Sequence, residues 1–255
     1  LLVRIAIAGK GGTGKTSFAA MLIRTLQEGT GGTILAVDAD PNSNLHEALG
    51  IAVPRTVADV LEEVKTPGPP PAGMPKSQLI EYRLRSVLVE TPRLDLLSMG
   101  TPEGPGCYCF PNDLIRNHLA ALARDYDFLV IDNEAGMEHL SRRVAQDMDM
   151  TFVLSDATVR GLRTAGRIRE LVDEIGLNPG RVWLVVNRVV DGRPLAEAIA
   201  ATGLELGGFI PDDQDVADLD LHGEPLARLP ATSSALRSVG AIAARAGLTN
   251  GGTGH

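Results

Sequence analysis

The 255-residue sequence is 44% hydrophobic, long enough to bury a full core as one α/β domain. Its 32 Asp and Glu outnumber 24 Lys and Arg, a formal charge of −8, which opposes a main role in coating DNA or anionic lipid because phosphate binding draws largely on Lys and Arg. No apolar run approaches the roughly 18 to 20 residues a membrane span needs, and two cysteines are too few for a disulfide framework, so the expectation is a cytoplasmic protein with no membrane and no nucleic-acid partner.

In chain order, β-branched runs over residues 3–8, 33–38, 94–99, 127–132, 150–154, 181–189 and 206–210 predict strands. Amphipathic stretches over 17–27, 112–124, 138–146, 159–175, 194–201 and 232–246 predict the helices between them. Alternating strands and helices imply one α/β domain over residues 1–248 with a mainly parallel central sheet and helices on both faces, since right-handed crossovers place them there. With the glycine loop Gly9 to Thr16, G-x-x-x-x-G-K-[ST], after the first strand, it is expected to be a single P-loop NTPase domain. Ligands of such a sheet sit at the carboxyl ends of its strands. The five prolines of residues 66–76 mark a surface excursion, and the Gly-rich residues 249–255 a flexible tail.

The first strand runs into Gly9-Lys10-Gly11-Gly12-Thr13-Gly14-Lys15-Thr16, which satisfies G-x-x-x-x-G-K-[ST] between a strand and a helix. Its glycines let successive N–H groups turn toward phosphate oxygens, and the helix adds its positive end. Lys15 is expected to neutralise the β- and γ-phosphates and the Thr16 hydroxyl to ligate Mg²⁺. With Ser17 beside them, residues Gly9 to Ser17 form the expected phosphate-binding set for ATP or ADP.

A second lysine, Lys10, stands inside this loop, which resembles the deviant phosphate loop of the MinD/ParA and nitrogenase iron-protein group. The resemblance implies a homodimer in which Lys10 reaches the partner's nucleotide and stabilises charge developing during phosphoryl transfer. It places a first switch at Asp38-Ala39-Asp40-Pro41-Asn42-Ser43-Asn44, where Asp40 is the candidate for orienting the attacking water or holding a Mg²⁺-bound water. Asp38 is the weaker choice, as a carboxylate at a strand end also caps the turn after it. The related iron proteins carry an aspartate at the place of Asn44.

Phe128-Leu129-Val130-Ile131-Asp132 is an apolar strand ending in a carboxylate, the position that holds the metal through water. Asn133-Glu134-Ala135-Gly136 comes next as a second switch, with the Gly136 N–H placed to sense a γ-phosphate. Asn187 and Arg188 at the end of one strand, with Pro211 and Asp212 at the end of another, resemble the walls of the base pocket. Adenine is favoured there by family resemblance, as no N-K-x-D guanine motif is present.

Cys107-Tyr108-Cys109 lies in a Gly/Pro-bounded loop just before a predicted helix, whose N-terminus favours thiolates. Two thiolates make half a tetrahedral or square-planar site, and a two-fold dimer supplies the rest. An inert pair and a redox dithiol are the alternatives. Together with the phosphate loop and residues 132–140, this loop is similar to that of the CooC-type ATPases, accessory proteins for maturation of nickel carbon monoxide dehydrogenases. That resemblance implies Ni²⁺ or Zn²⁺ held by Cys107 and Cys109 across the dimer, and delivery to an apo metalloenzyme such as carbon monoxide dehydrogenase. Two rival functions remain, a MinD/ParA-like positioning ATPase and an iron–sulfur electron-transfer ATPase. His46, His118 and His139 are read as structural, and the stripe Arg160, Arg163, Arg167 as a solvated helix face.

Overall fold

The computed structural model describes residues 1–65, 82–101, 119–133, 148–174, 180–190 and 195–249. Strand β1 (Val3–Gly9) alternates Ile5 and Ile7 on one side with Ala6 and Ala8 on the other, and all four are buried, so both faces of the sheet must be covered. Helix α1 (Lys15–Thr30) covers the isoleucine side with Phe18, Leu22 and Leu26. The ring of Phe18 sits 5.2 Å, centroid to centroid, from that of Phe152.

After β2 (Ile34–Asp38) come a short helix α2 (Leu45–Leu49), α3 (Val57–Lys65), β3 (Val89–Thr91), β4 (Leu94–Ser98), β5 (Phe128–Asp132) and β6 (Met150–Asp156). Helix α4 (Val159–Glu174), β7 (Arg181–Val189), α5 (Ala196–Ala200), β8 (Glu205–Pro211), α6 (Gln214–His222) and α7 (Ser234–Arg245) complete the described order. The eight strands form one sheet in the order β3-β4-β2-β5-β1-β6-β7-β8. Every neighbouring pair is parallel except β3 with β4. Helices α1, α2 and α7 pack on the Ile5/Ile7 face, while α3 and α4 pack on the opposite face, α3 beside β2 and α4 beside β6 and β7.

The sheet is thus the mainly parallel, doubly covered one that the sequence pattern implies. The pattern missed β3, a three-residue antiparallel edge too short to show periodicity. It also missed α2, α3 and α6, of which the last is announced by Asp213, whose side chain caps it by accepting from the N–H groups of Asp215 and Val216. Helix α1 begins at Lys15 rather than Ser17, because Gly14 (φ 87°) makes the turn and the loop's last lysine already lies in the first helical turn. The expected helix over 138–146, the excursion over 66–76 and most of the helix over 112–124 lie outside the described residues. Among the described residues no helix is long and apolar enough to cross a membrane.

Candidate active site

The phosphate loop leaves β1 at the carboxyl end of the sheet, between β5 and β6. Gly9 has φ 149°, and a Cβ there would lie 2.5 Å from the Leu154 carbonyl oxygen, so the loop's exit depends on glycine. The turn is held from within by Thr13, whose Oγ1 donates to the Lys10 carbonyl at 2.8 Å. Outside support comes from β7, where Asn187 Nδ2 donates to the Thr13 carbonyl at 2.9 Å. A Cβ on Gly14 would come within 2.3 Å of that same Nδ2. Asn187, read from the sequence as part of a base pocket, therefore touches the phosphate loop itself.

The two loop lysines differ in placement. Lys15 is buried, with Nζ 3.5 Å from the Lys10 carbonyl oxygen. Lys10 is exposed, as are Gly11 and Gly12. Thr16 Oγ1 donates to Asp132 Oδ2 at 2.6 Å, joining the first turn of α1 to the end of β5. Asp132 is 1% exposed, and its other oxygen, Oδ1, is buried with no hydrogen-bond partner. Burial raises its pKa to about 7, the Thr16 hydroxyl works against that rise, and the Asp38 charge adds to it. A buried, half-satisfied carboxylate beside a hydroxyl is a hard-oxygen donor set of the kind Mg²⁺ takes.

Asp38 pairs in register with Asp132 on the adjacent strand and is fully buried. Its oxygens accept from the Asp40 N–H at 3.2 Å and the Leu45 N–H at 2.9 Å, so it caps the loop and α2. Burial nevertheless lifts its pKa to about 6, those hydrogen bonds opposing. Asp40 stands at the loop's start, half-buried, with Oδ1 accepting from both the backbone N–H and the side-chain amide of Asn42. Its charge reaches Asp132. His46, in α2, has a buried Nδ1 without a partner.

At the far side of the loop, Arg188 is exposed in a left-handed turn (φ 56°) and its N–H donates to Asn187 Oδ1. Pro211 lies opposite Val189 on the next strand, and Asp212 is exposed. The residue that sequence reasoning passed over is the next one. Asp213 is buried and accepts from five donors, the N–H groups of Asp215, Val216 and Ala235 and the hydroxyls of Ser233 and Ser234. Glu134, Gly136, Cys107, Cys109, His118 and His139 lie outside the described residues. Among the described residues no group of three or more His, Cys, Asp or Glu is arranged to hold a metal ion. Arg160, Arg163 and Arg167 are all exposed, on the side of α4 opposite Leu162, Ala165 and Ile168.

Comparison with known proteins agrees with this geometry. Residues 5–226 match the model of the CobQ/CobB/MinD/ParA nucleotide binding domain. An uncharacterized ATP-binding protein of Methanocaldococcus jannaschii is 44% identical over 94% of this chain and 96% of its own length. The carbon monoxide dehydrogenase accessory protein CooC of Rhodospirillum rubrum is 29% identical over 87% of this chain and 88% of its own. Among solved structures, the septum site-determining protein MinD of Pyrococcus horikoshii in complex with Mg-ADP superposes with a TM-score of 0.70 at 23% identity, covering 95% of each chain. The chain belongs to the CobQ/CobB/MinD/ParA nucleotide-binding family and is a P-loop ATPase.

Proposed function

We propose that the protein is a nucleotide-switched homodimer of the MinD/ParA kind, in which ATP closes two copies over their phosphate loops and hydrolysis lets them part. The observation that carries this reading is the division of labour between the two loop lysines. Lys15 is folded into its own loop, whereas Lys10 is exposed at the rim, where a second copy's nucleotide can meet it. In this reading Lys15 neutralises the β- and γ-phosphates, Lys10 stabilises charge on the partner's γ-phosphate, and Asp40 orients the attacking water. Thr16 and Asp132 are the residues that would hold Mg²⁺, the Asp132 Oδ1 without a partner being free to accept from its water shell. When bound, Mg²⁺ neutralises phosphate charge.

The test is mass in solution with ADP or a non-hydrolysable ATP analogue. The wild type is expected to dimerise only with the analogue, and Lys10→Ala to remain a monomer in both. A wild type that is monomeric in both states would overturn the reading.

A second reading, metal insertion into a nickel enzyme, is favoured by the Cys107-Tyr108-Cys109 motif together with the CooC relative. It adds a Ni²⁺ or Zn²⁺ site shared by the two copies of Cys107 and Cys109, with an apo enzyme such as carbon monoxide dehydrogenase as client, in the cytoplasm. Metal content of the dimer, compared with that of the Cys107→Ala/Cys109→Ala variant, decides it. One ion per dimer, lost in the variant, supports this reading; no ion under reducing conditions leaves the positioning-type ATPase.

A further inference from the structure

Asn133 follows the strand-end carboxylate Asp132 but is not among the groups expected to meet nucleotide or Mg²⁺. It is 7% exposed, and an amide in so dry a place costs free energy unless it is hydrogen-bonded. Its Nδ2 donates to the Ile7 carbonyl of β1 at 2.9 Å and lies 3.5 Å from the Ile131 carbonyl oxygen. Its backbone N–H donates to the same Ile7 carbonyl at 3.3 Å. That carbonyl therefore already has a main-chain donor, and the side-chain amide is a second grip on it rather than the rescue of an orphan. The peptide unit between Asp132 and Asn133 is held at its other end too, where the Asp132 carbonyl accepts from the Ala39 N–H at 2.9 Å. One peptide plane is thus clamped from β1 on one side and from the exit of β2 on the other. Ile7 lies opposite Asp132 in the sheet register and two residues before Gly9, where the phosphate loop begins.

The clamp matters because the Asp132 carboxylate is itself held sparsely. Thr16 Oγ1 donates to its Oδ2 at 2.6 Å and its Oδ1 has no partner, so its place is set mainly by its own backbone. Asp38, opposite it on β2, is by contrast fixed through its side chain by two backbone N–H groups. We propose that Asn133 is the positioning residue of Asp132, its amide locking the end of β5 to β1 so that Asp132 and Thr16 present their oxygens as one Mg²⁺ donor set. The inference rests on the reading that Thr16 and Asp132 hold Mg²⁺. Because Ile7 belongs to the strand that runs into the phosphate loop, the same bond keeps the carboxylate in step with that loop. Loss of the amide leaves the β1–β5 ladder and the Asn133 N–H in place, so it loosens the carboxylate without dismantling the strand pair. A group that orients a metal ligand typically contributes roughly 10- to 100-fold in metal affinity.

The test is a calorimetric titration of Mg²⁺ into protein saturated with ADP, beside a titration of ADP in EDTA. Asn133→Leu keeps the branched shape of the side chain and removes its donor, while Asn133→Ala removes both. Each is expected to raise the Mg²⁺ concentration for half-saturation by about tenfold or more, with ADP affinity in EDTA within about twofold of wild type. Should Asn133→Leu not fold, Asn133→Ala is judged by the same two titrations. Wild-type Mg²⁺ affinity in either variant overturns the proposal. So does an equal loss of ADP affinity in EDTA, which would make the amide a prop of the fold alone. Asp132→Asn separates this inference from the reading beneath it. If that variant binds Mg²⁺ as wild type does, the assignment of Asp132 to Mg²⁺ falls and this inference with it. If it loses Mg²⁺ while Asn133→Leu keeps it, this inference alone falls.

Discussion

Two buried aspartates, Asp132 at the phosphate loop and Asp213 at the junction of α6 and α7, show opposite treatments of the same side chain. Asp213 is surrounded by five donors, and although burial pushes its pKa up, the Ala235 N–H and the Ser234 and Ser233 hydroxyls outweigh that and hold it down at about 2. Asp132 receives a single hydrogen bond, keeps one oxygen without a partner, and is raised to about 7. The first is a finished structural joint, tying the start of α6 to the start of α7. The second is left half-satisfied by the fold, and in the proposed reading Mg²⁺ and nucleotide supply the rest. Buried charge left uncompensated by the fold marks a place prepared for a ligand.

The largest effect expected from this contrast is on catalysis. Lys15→Ala or Asp132→Asn is expected to lower kcat by about 10²- to 10³-fold, measured as phosphate release. Asp132→Asn removes a poorly compensated charge, so the same variant is expected to raise the thermal midpoint of the nucleotide-free protein by about 2 to 4 °C. A variant that lost both activity and stability would make Asp132 a structural residue like Asp213.

Asp213→Ala should behave in reverse. It strands five donors and is expected to cost about 3 kcal/mol, a midpoint lower by roughly 6 to 12 °C, while kcat of the folded fraction stays within about twofold. Thermal unfolding with and without nucleotide checks both halves.

The pH dependences also diverge. For Asp213 the unfolded chain binds more protons between about 2 and 3.8, so its stabilisation is complete above 3.8 and is lost as pH falls toward 2. For Asp132 the native state binds more protons between 3.8 and about 7, so the nucleotide-free protein loses stability as pH rises through that window. In the proposed reading Mg²⁺ and a proton compete for that carboxylate. The Mg²⁺ concentration for half-maximal ATPase should therefore fall, by up to about tenfold, as pH rises from roughly 6 to 7, and level off above it.

The smallest expected effect concerns the brace between β7 and the loop. Asn187→Ala removes the 2.9 Å bond to the Thr13 carbonyl and is expected to weaken ADP binding about fivefold, equivalent to about 1 kcal/mol, with kcat little changed. A loss confined to adenine nucleotides, with inorganic triphosphate unaffected, would instead place Asn187 at the base.

Much of the frame is legible residue by residue. Strands ending at Asp38 and Asp132 are visible because a parallel strand covered on both faces is apolar throughout, and a carboxylate stops it. Helix α4 is visible from its 3.6-residue period, and its exposed arginines fall where that period puts them. Short α2 and β3 are not, since five and three residues hold too little periodicity to register. Asp213 carries a cap signal, but the base-pocket pattern points to its neighbour Asp212, which is exposed.

What the sequence by itself determined was the phosphate loop, because its function depends on local backbone freedom. Gly9 and Gly14 supply torsions that other residues strain to adopt, and Lys15 and Thr16 follow directly as the first two residues of α1. Only the tertiary structure decided which groups the loop meets. The Thr16 to Asp132 bond joins residues 116 apart, the Asn187 brace residues 174 apart, and the Asn133 clamp on Ile7 residues 126 apart. Contacts at such separations are fixed by the order and register of eight strands, a property of the whole sheet that no local pattern of residues contains.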